Sequence, residues 1–282
     1  MGLTSGRREV VVGLLDGPVA VDHPALASDS IRELAEGGGG RCTQPRSPAC
    51  QHGTFVAGIL VARRGSAAPA ICPECSLWVR PIFTETVAEG QQLPSATPQQ
   101  VAAAVGDCVD AGVWVLNLSA GMSEPSSRDE RELREALNYA ARHGVVVVAA
   151  AGNQATLGSS VITRHPWVIP VVGYGLNRRP TVHSNLGSSM GKRGLGAPGE
   201  NVTSLSSQGE PRTQAGTSFA AAFVTGAVSL LWSQFLDATA GEIKCAVLGS
   251  HGRRRASVVP PLMDAWEAYQ TLSATQSAGV TV

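Results

Sequence analysis

No apolar run in the sequence is long enough to cross a bilayer. The best candidate, Phe219–Trp232, is broken by Thr225, Gly226 and Ser229, which rules it out as a spanning helix. At the N-terminus, Arg7, Arg8 and Glu9 precede only Val10 to Leu15 before Asp16 intervenes, too short an apolar stretch for a secretory signal. A cytoplasmic location is therefore expected. Charge of one sign is also missing: 22 Lys+Arg balance 22 Asp+Glu, so neither nucleic acid nor a membrane surface is an expected partner. Aromatic residues make up only 5%, and no composition shift or repeat marks an internal boundary. The 282 residues, 32 of them glycine, predict one tightly packed α/β domain over 1–272 and a frayed tail over 273–282.

What is present is an alternation of buried strands and helices. Glu9–Leu15, Ser76–Phe83, Val113–Ser119, Val145–Ala151 and Val168–Val172 are short, nearly continuous apolar runs, the pattern of strands covered on both faces of a parallel sheet. Helices are predicted at 50–60, 98–111, 219–232 and 261–272, and another after the capping box Ser127-x-x-Glu130. Gly37–Gly40 and Thr86–Pro98 read as loops, Leu195–Val202 as a turn and strand, and Arg253-Arg254-Arg255 as a solvated turn. Strand–helix alternation argues for a mostly parallel sheet with helices on both faces.

Four polar residues stand at the ends of these elements. Asp16 ends the first strand, a common functional position in open α/β sheets, although Asp-Gly is also ordinary turn chemistry. His52 opens a helix rich in small residues. Asn153 follows a buried strand, as a turn residue or as an N–H donor to an oxyanion. Ser218 begins the Phe219–Trp232 helix, either as its cap or as a nucleophile at the positive end of the helix dipole.

Together the surrounding stretches resemble one family. Val10-Val-Val-Gly-Leu-Leu-Asp16 with His23-Pro-Ala-Leu, His52-Gly-Thr-Phe-Val-Ala-Gly, Ala149-Ala-Ala-Gly-Asn153 and Gly216-Thr-Ser218-Phe-Ala occur in this order, and Asp…His…Ser is the subtilisin order of a triad. The chain resembles subtilisin-like serine proteases from Val10 to Trp232. The resemblance implies a three-layer α/β fold and a peptide substrate. Ser218 would be the nucleophile, His52 the base, Asp16 the residue orienting it, and Asn153 with the Ser218 N–H the oxyanion site. It further implies a substrate pocket lined by Ser119-Ala120-Gly121 and Ala149-Ala150-Ala151-Gly152, and a cis bond at His165-Pro166. Phe55, Phe219 and Ala222 depart from the family's His, Met and Pro. No counterpart of the family's calcium loop lies between Leu60 and Trp78, so no metal or other cofactor is expected.

Asp16-Gly-Pro-Val, Pro81-Ile-Phe and Ala197-Pro-Gly-Glu-Asn-Val are also similar to the cyanobactin-type maturation proteases. That similarity implies removal of a leader from a ribosomally made precursor peptide. A broad intracellular subtilisin and a non-catalytic peptide-binding subtilisin fold are the competing readings.

Six cysteines remain. Cys72-Pro-Glu-Cys75 with Cys42 and Cys50 has the spacing of a four-thiolate zinc site. The C-x-x-C alone would suit a redox pair. Disulfides Cys42–Cys50 and Cys72–Cys75 are the preferred reading, with free buried thiols as the remaining alternative. Cys108 and Cys245 read as core positions.

Overall fold

The first apolar run forms the third strand of a sheet buried on both faces. In β1 (Val11–Leu15), Val12 and Leu14 face one core while Val11 and Leu15 face the other. Side chains alternate across a strand, so a two-faced sheet needs apolar residues at every position. The computed structural model describes residues 3–34, 40–86, 96–119, 127–249 and 257–279. Ala120, Gly121, the Ser127 side chain, most of the Gly37–Gly40 and Thr86–Pro98 stretches, and Arg253 to Arg255 lie outside the described residues.

The other strands of this sheet are β2 (Ile31–Glu33), β3 (Ser76–Val79), β4 (Val115–Leu118), β5 (Val146–Ala150), β6 (Ile169–Tyr174) and β7 (Leu195–Pro198). The seven run in the order β2-β3-β1-β4-β5-β6-β7, and every pair is parallel. A separate antiparallel hairpin, β8 (Val202–Ser204) and β9 (Arg212–Gln214), leads into the segment carrying Ser218. The helices are α1 (Pro48–Val61), α2 (Pro98–Ala111), α3 (Ser127–Arg142), α4 (Val161–Arg164), α5 (Ser188–Arg193), α6 (Thr217–Gln234), α7 (Ala240–Gly249) and α8 (Ala265–Gly279). Residues of α1, α6 and α7 join one core against the sheet, and residues of α2 and α3 join the other. This is the expected three-layer α/β architecture. No helix among the described residues is long and apolar enough to cross a membrane.

Several expectations need adjustment. The last helix is α8, which runs to Gly279 and so through most of the stretch expected to fray; Ala268 and Leu272 are buried in the core and anchor it. The His165-Pro166 bond is trans, since no described peptide bond is cis. His165 ends α4 at φ −64°, ψ 130°, an extended conformation suited to the residue before a proline. Cys42–Cys50 is a disulfide, whereas Cys72 and Cys75 are free and buried. The Cys72 thiol donates to the Leu60 carbonyl (3.2 Å) and Cys75 Sγ lies 3.8 Å from Ser233 Oγ, so each has its own partner within the core. No four-thiolate cluster forms among the described residues. Cys108 is buried as expected, and Cys245 is exposed.

Two glycines set the distance between β1 and α1. A Cβ on Gly17 would lie 2.0 Å from the Ala49 carbonyl oxygen, and one on Gly53 would lie 2.3 Å from the Gly17 carbonyl oxygen. Only hydrogen at both positions lets the start of α1 reach the end of β1. Gly53→Ala is therefore expected to lower the unfolding free energy by about 1–3 kcal/mol through overpacking, with a matching loss of activity as His52 is displaced. Urea unfolding of the variant checks this; an unchanged midpoint would remove the close-approach argument.

Candidate active site

Asp16 leaves the C-terminal end of β1 with its side chain fully buried. A single oxygen, Oδ1, accepts from the Gly17 N–H (2.6 Å) and lies 2.6 Å from His52 Nδ1. The other, Oδ2, is buried without a hydrogen-bond partner. A carboxylate so poorly solvated gains most from a cationic neighbour, and His52 is that neighbour. The Asp16 carbonyl accepts from the N–H groups of Ile82 (2.8 Å) and Phe83 (3.3 Å). The Pro81-Ile82-Phe83 segment thus fixes the strand end from the other side.

His52 lies in the first turn and a half of α1. Ser47 caps that helix by accepting from the Cys50 N–H, with Pro48 in its first turn. The imidazole is 28% exposed. Burial disfavours its charged form, but the charge of Asp16 and the hydrogen bond to it outweigh burial and raise its pKa above the ordinary histidine value. That geometry also fixes the tautomer: with Nδ1–H donated to Asp16, Nε2 carries the lone pair.

Ser218 is not the cap of α6. The helix starts at Thr217, with Gly216 in the cap position and no side-chain cap. Ser218 is thus inside the first turn, where backbone N–H groups lack intrahelical acceptors. The Thr217 N–H donates to Asn153 Oδ1 (2.9 Å), and the Gly152 N–H donates to Thr217 Oγ1 (3.2 Å). Because Oδ1 is taken by an N–H donor, the Asn153 amide must present its NH₂ group outward, beside the Ser218 turn. Asn153 itself is exposed and Gly152 holds the positive φ of 104° that turns the chain there. The Gly216 N–H donates to the Gly199 carbonyl (2.9 Å), which ties this segment to the Ala197-Pro-Gly turn.

Phe219, next to Ser218, brings the two halves together. Its ring centroid lies 5.6 Å from that of His52 and 4.4 Å from that of Phe55. Two of the three departures from the family pattern therefore touch each other, as an aromatic wall behind the imidazole. The third, Ala222, is fully buried within uninterrupted α6; alanine keeps the N–H that a proline would lack. Among the described residues, His52 is hydrogen-bonded to Asp16 but not to Ser218; such bonds commonly tighten only in the substrate complex.

The expected pocket walls are the ends of adjacent strands, with Leu118 opposite Ala149. Ala149 and Ala151 are buried and Ala150 and Gly152 half-buried. Ser119 is buried, and its hydroxyl accepts from Asn117 Nδ2 (3.1 Å), while Asn117 Oδ1 accepts from Thr225 (2.9 Å). Its side chain thus belongs to a buried polar network joining β4 to α6, which periodicity alone did not show. Sequence reasoning also missed Thr217, the residue that orients Asn153, although it stands in the Gly-Thr-Ser stretch itself.

Comparison with known proteins decides the family. The subtilase family matches residues 7–270. The chain belongs to the subtilase family, and with it to the serine peptidases. The major intracellular serine protease of Bacillus subtilis (strain 168) is 30% identical over 234 residues, covering 80% of this chain and 69% of that protein. A mutant of the protease domain of PatA superposes with a TM-score of 0.85 at 26% identity, covering 98% of this chain and 99% of that one. PagA, the prenylagaramide maturation protease, gives 0.82 at 24% identity, covering 96% of each chain; this likeness carries the fold alone.

For this subtilase the raised His52 pKa has a definite sign. With His52 as the proposed base, which must be neutral to act, kcat/KM is expected to fall as pH drops through a pKa above the ordinary 6.5. Asp16→Asn removes both raising effects and leaves burial. The acid limb should then move to lower pH, while the plateau falls about 10⁴-fold. A pH–rate profile on a peptide substrate measures both; an acid limb that stays in place would refute the assignment of its pKa to His52.

Proposed function

We propose that the chain is a selective serine endopeptidase that cuts the leader from a ribosomally made precursor peptide, using Asp16, His52, Ser218 and Asn153. The observation that carries the chemistry is the buried Asp16 carboxylate 2.6 Å from His52 Nδ1, next to a helix start bearing Ser218. In this reading Ser218 Oγ attacks the scissile carbonyl and its proton passes to His52 Nε2. The imidazolium is stabilised by Asp16. The resulting oxyanion takes hydrogen bonds from the Asn153 NH₂ group and the Ser218 N–H; one such donor is worth about 3 kcal/mol. Collapse expels the amine, which takes the proton from His52, and leaves the acyl group on Ser218. Water, deprotonated by His52, then hydrolyses that ester. The acyl side of the substrate would lie along Ser119-Ala120-Gly121, with its side chain against Ala149 to Gly152.

The substrate class is supported by likeness to PatA, the patellamide maturation protease, which extends over nearly the whole chain. The cytoplasm is the proposed location, in keeping with an intracellular relative. Incubation with unmodified casein and with candidate precursor peptides tests the selectivity. One cut in the precursor and negligible turnover of casein is the expected result; rapid cleavage of casein at many sites would identify a broad intracellular protease instead.

A further inference from the structure

Outside the proposed triad, the densest cluster of metal-ligating atoms is Cys42, Cys50 and Glu85, whose ligand atoms all lie within 4.8 Å of one another. Glu85 is held firmly in place. Its Oε1 accepts from the N–H groups of Thr43 (2.9 Å) and Gln44 (2.7 Å), and its Oε2 accepts from the Thr43 hydroxyl. The same Oε1 lies 3.1 Å from Cys50 Sγ. In the disulfide neither sulfur carries a proton, so this anchored carboxylate is turned toward a sulfur that has nothing to donate. The arrangement makes chemical sense once the two sulfurs are thiolates sharing a cation with it.

We propose that the reduced chain binds one Zn²⁺-class cation through Cys42 Sγ, Cys50 Sγ and Glu85. Two thiolates and one carboxylate select a borderline-soft cation over Mg²⁺ or Ca²⁺. Tetrahedral Zn–S bonds of about 2.3 Å put two sulfurs about 3.8 Å apart; the Cα atoms of Cys42 and Cys50 are 5.5 Å apart, so once the bond is reduced, rotation of the two side chains opens that separation. The described residues supply three ligands, and water takes the fourth position. The hydrogen bonds from Thr43 and Gln44 are the outer partners that orient a ligating carboxylate. A cleft of about 810 Å³ between Gln44–Ser47 and Ser207-Gln208 has Glu85 on its wall and gives the cation a route in.

The disulfide and the cation are alternatives at one place. A dithiol reductant gives two electrons and two protons to the Cys42–Cys50 bond and leaves as its own disulfide. Binding of the cation then releases both thiol protons. Cys50 is two residues before His52 on α1, so the exchange takes place beside the proposed base.

The test uses the full chain, reduced with a phosphine and freed of it without air, then titrated with Zn²⁺ against a chromophoric chelator. One equivalent should bind per reduced chain, and the oxidised chain should compete far less well. Co²⁺ should give thiolate-to-metal charge-transfer absorption. Cys42→Ser should weaken uptake by more than about tenfold, and so should Glu85→Gln, which keeps both thiols and the carboxylate's shape. Cys72→Ser should leave uptake unchanged. Failure of the reduced wild type to take up Zn²⁺ would overturn the proposal, as would uptake undiminished in both Cys42→Ser and Glu85→Gln or lost in Cys72→Ser.

Discussion

The site depends on one contact: the 2.6 Å approach of a fully buried carboxylate, Asp16, to His52. Everything around it serves to bring a strand end and a helix start together. Gly17 and Gly53 remove the side chains that would hold β1 and α1 apart. Asp16's carbonyl anchors the segment after β3, and the Thr54 hydroxyl accepts from the Ala20 N–H (2.9 Å), closing the chain between strand and helix. A buried carboxylate with one unsatisfied oxygen is destabilising on its own. Its compensation is a histidine whose charged form is stabilised, and that is the form produced when a neutral imidazole accepts a proton from a serine.

The second half of the site is assembled differently. Asn153 comes from the loop after β5 and Thr217 and Ser218 from the first turn of α6, joined by the bonds from Gly152 to Thr217 and from Thr217 to Asn153. The orientation of the Asn153 amide therefore follows from backbone geometry and not from solvent. Phe219 links this half to the first through its contacts with His52 and Phe55. Family departures at both phenylalanines are intelligible as one packing unit.

Much of this was legible in the sequence because buried parallel strands write themselves as apolar runs. α2 falls at the predicted 98–111, and β1, β4 and β5 fall inside the predicted segments. What escaped has physical reasons. β2 is a three-residue edge strand reading Ile-Arg-Glu, half exposed, so it carries no apolar signature. α7 lies just after α6 with a mixed sequence and little amphipathic contrast, and its burial comes from packing against α6 and α8. The disulfide expected at Cys72–Cys75 and the cis bond expected at His165-Pro166 depend on distances and backbone angles that spacing does not encode. Thr217 acts by orienting Asn153 and Glu85 is held by Thr43 and Gln44, arrangements visible only when partners distant in sequence are seen together.

The central claim is that Ser218 is a nucleophile activated by the His52–Asp16 pair. The most direct measurement is reaction with a fluorophosphonate, followed by mass mapping of the labelled peptides. The account predicts one adduct, on Ser218, absent from Ser218→Ala and strongly slowed in Asp16→Asn. No adduct on the native chain, or one that persists in Ser218→Ala, would contradict it.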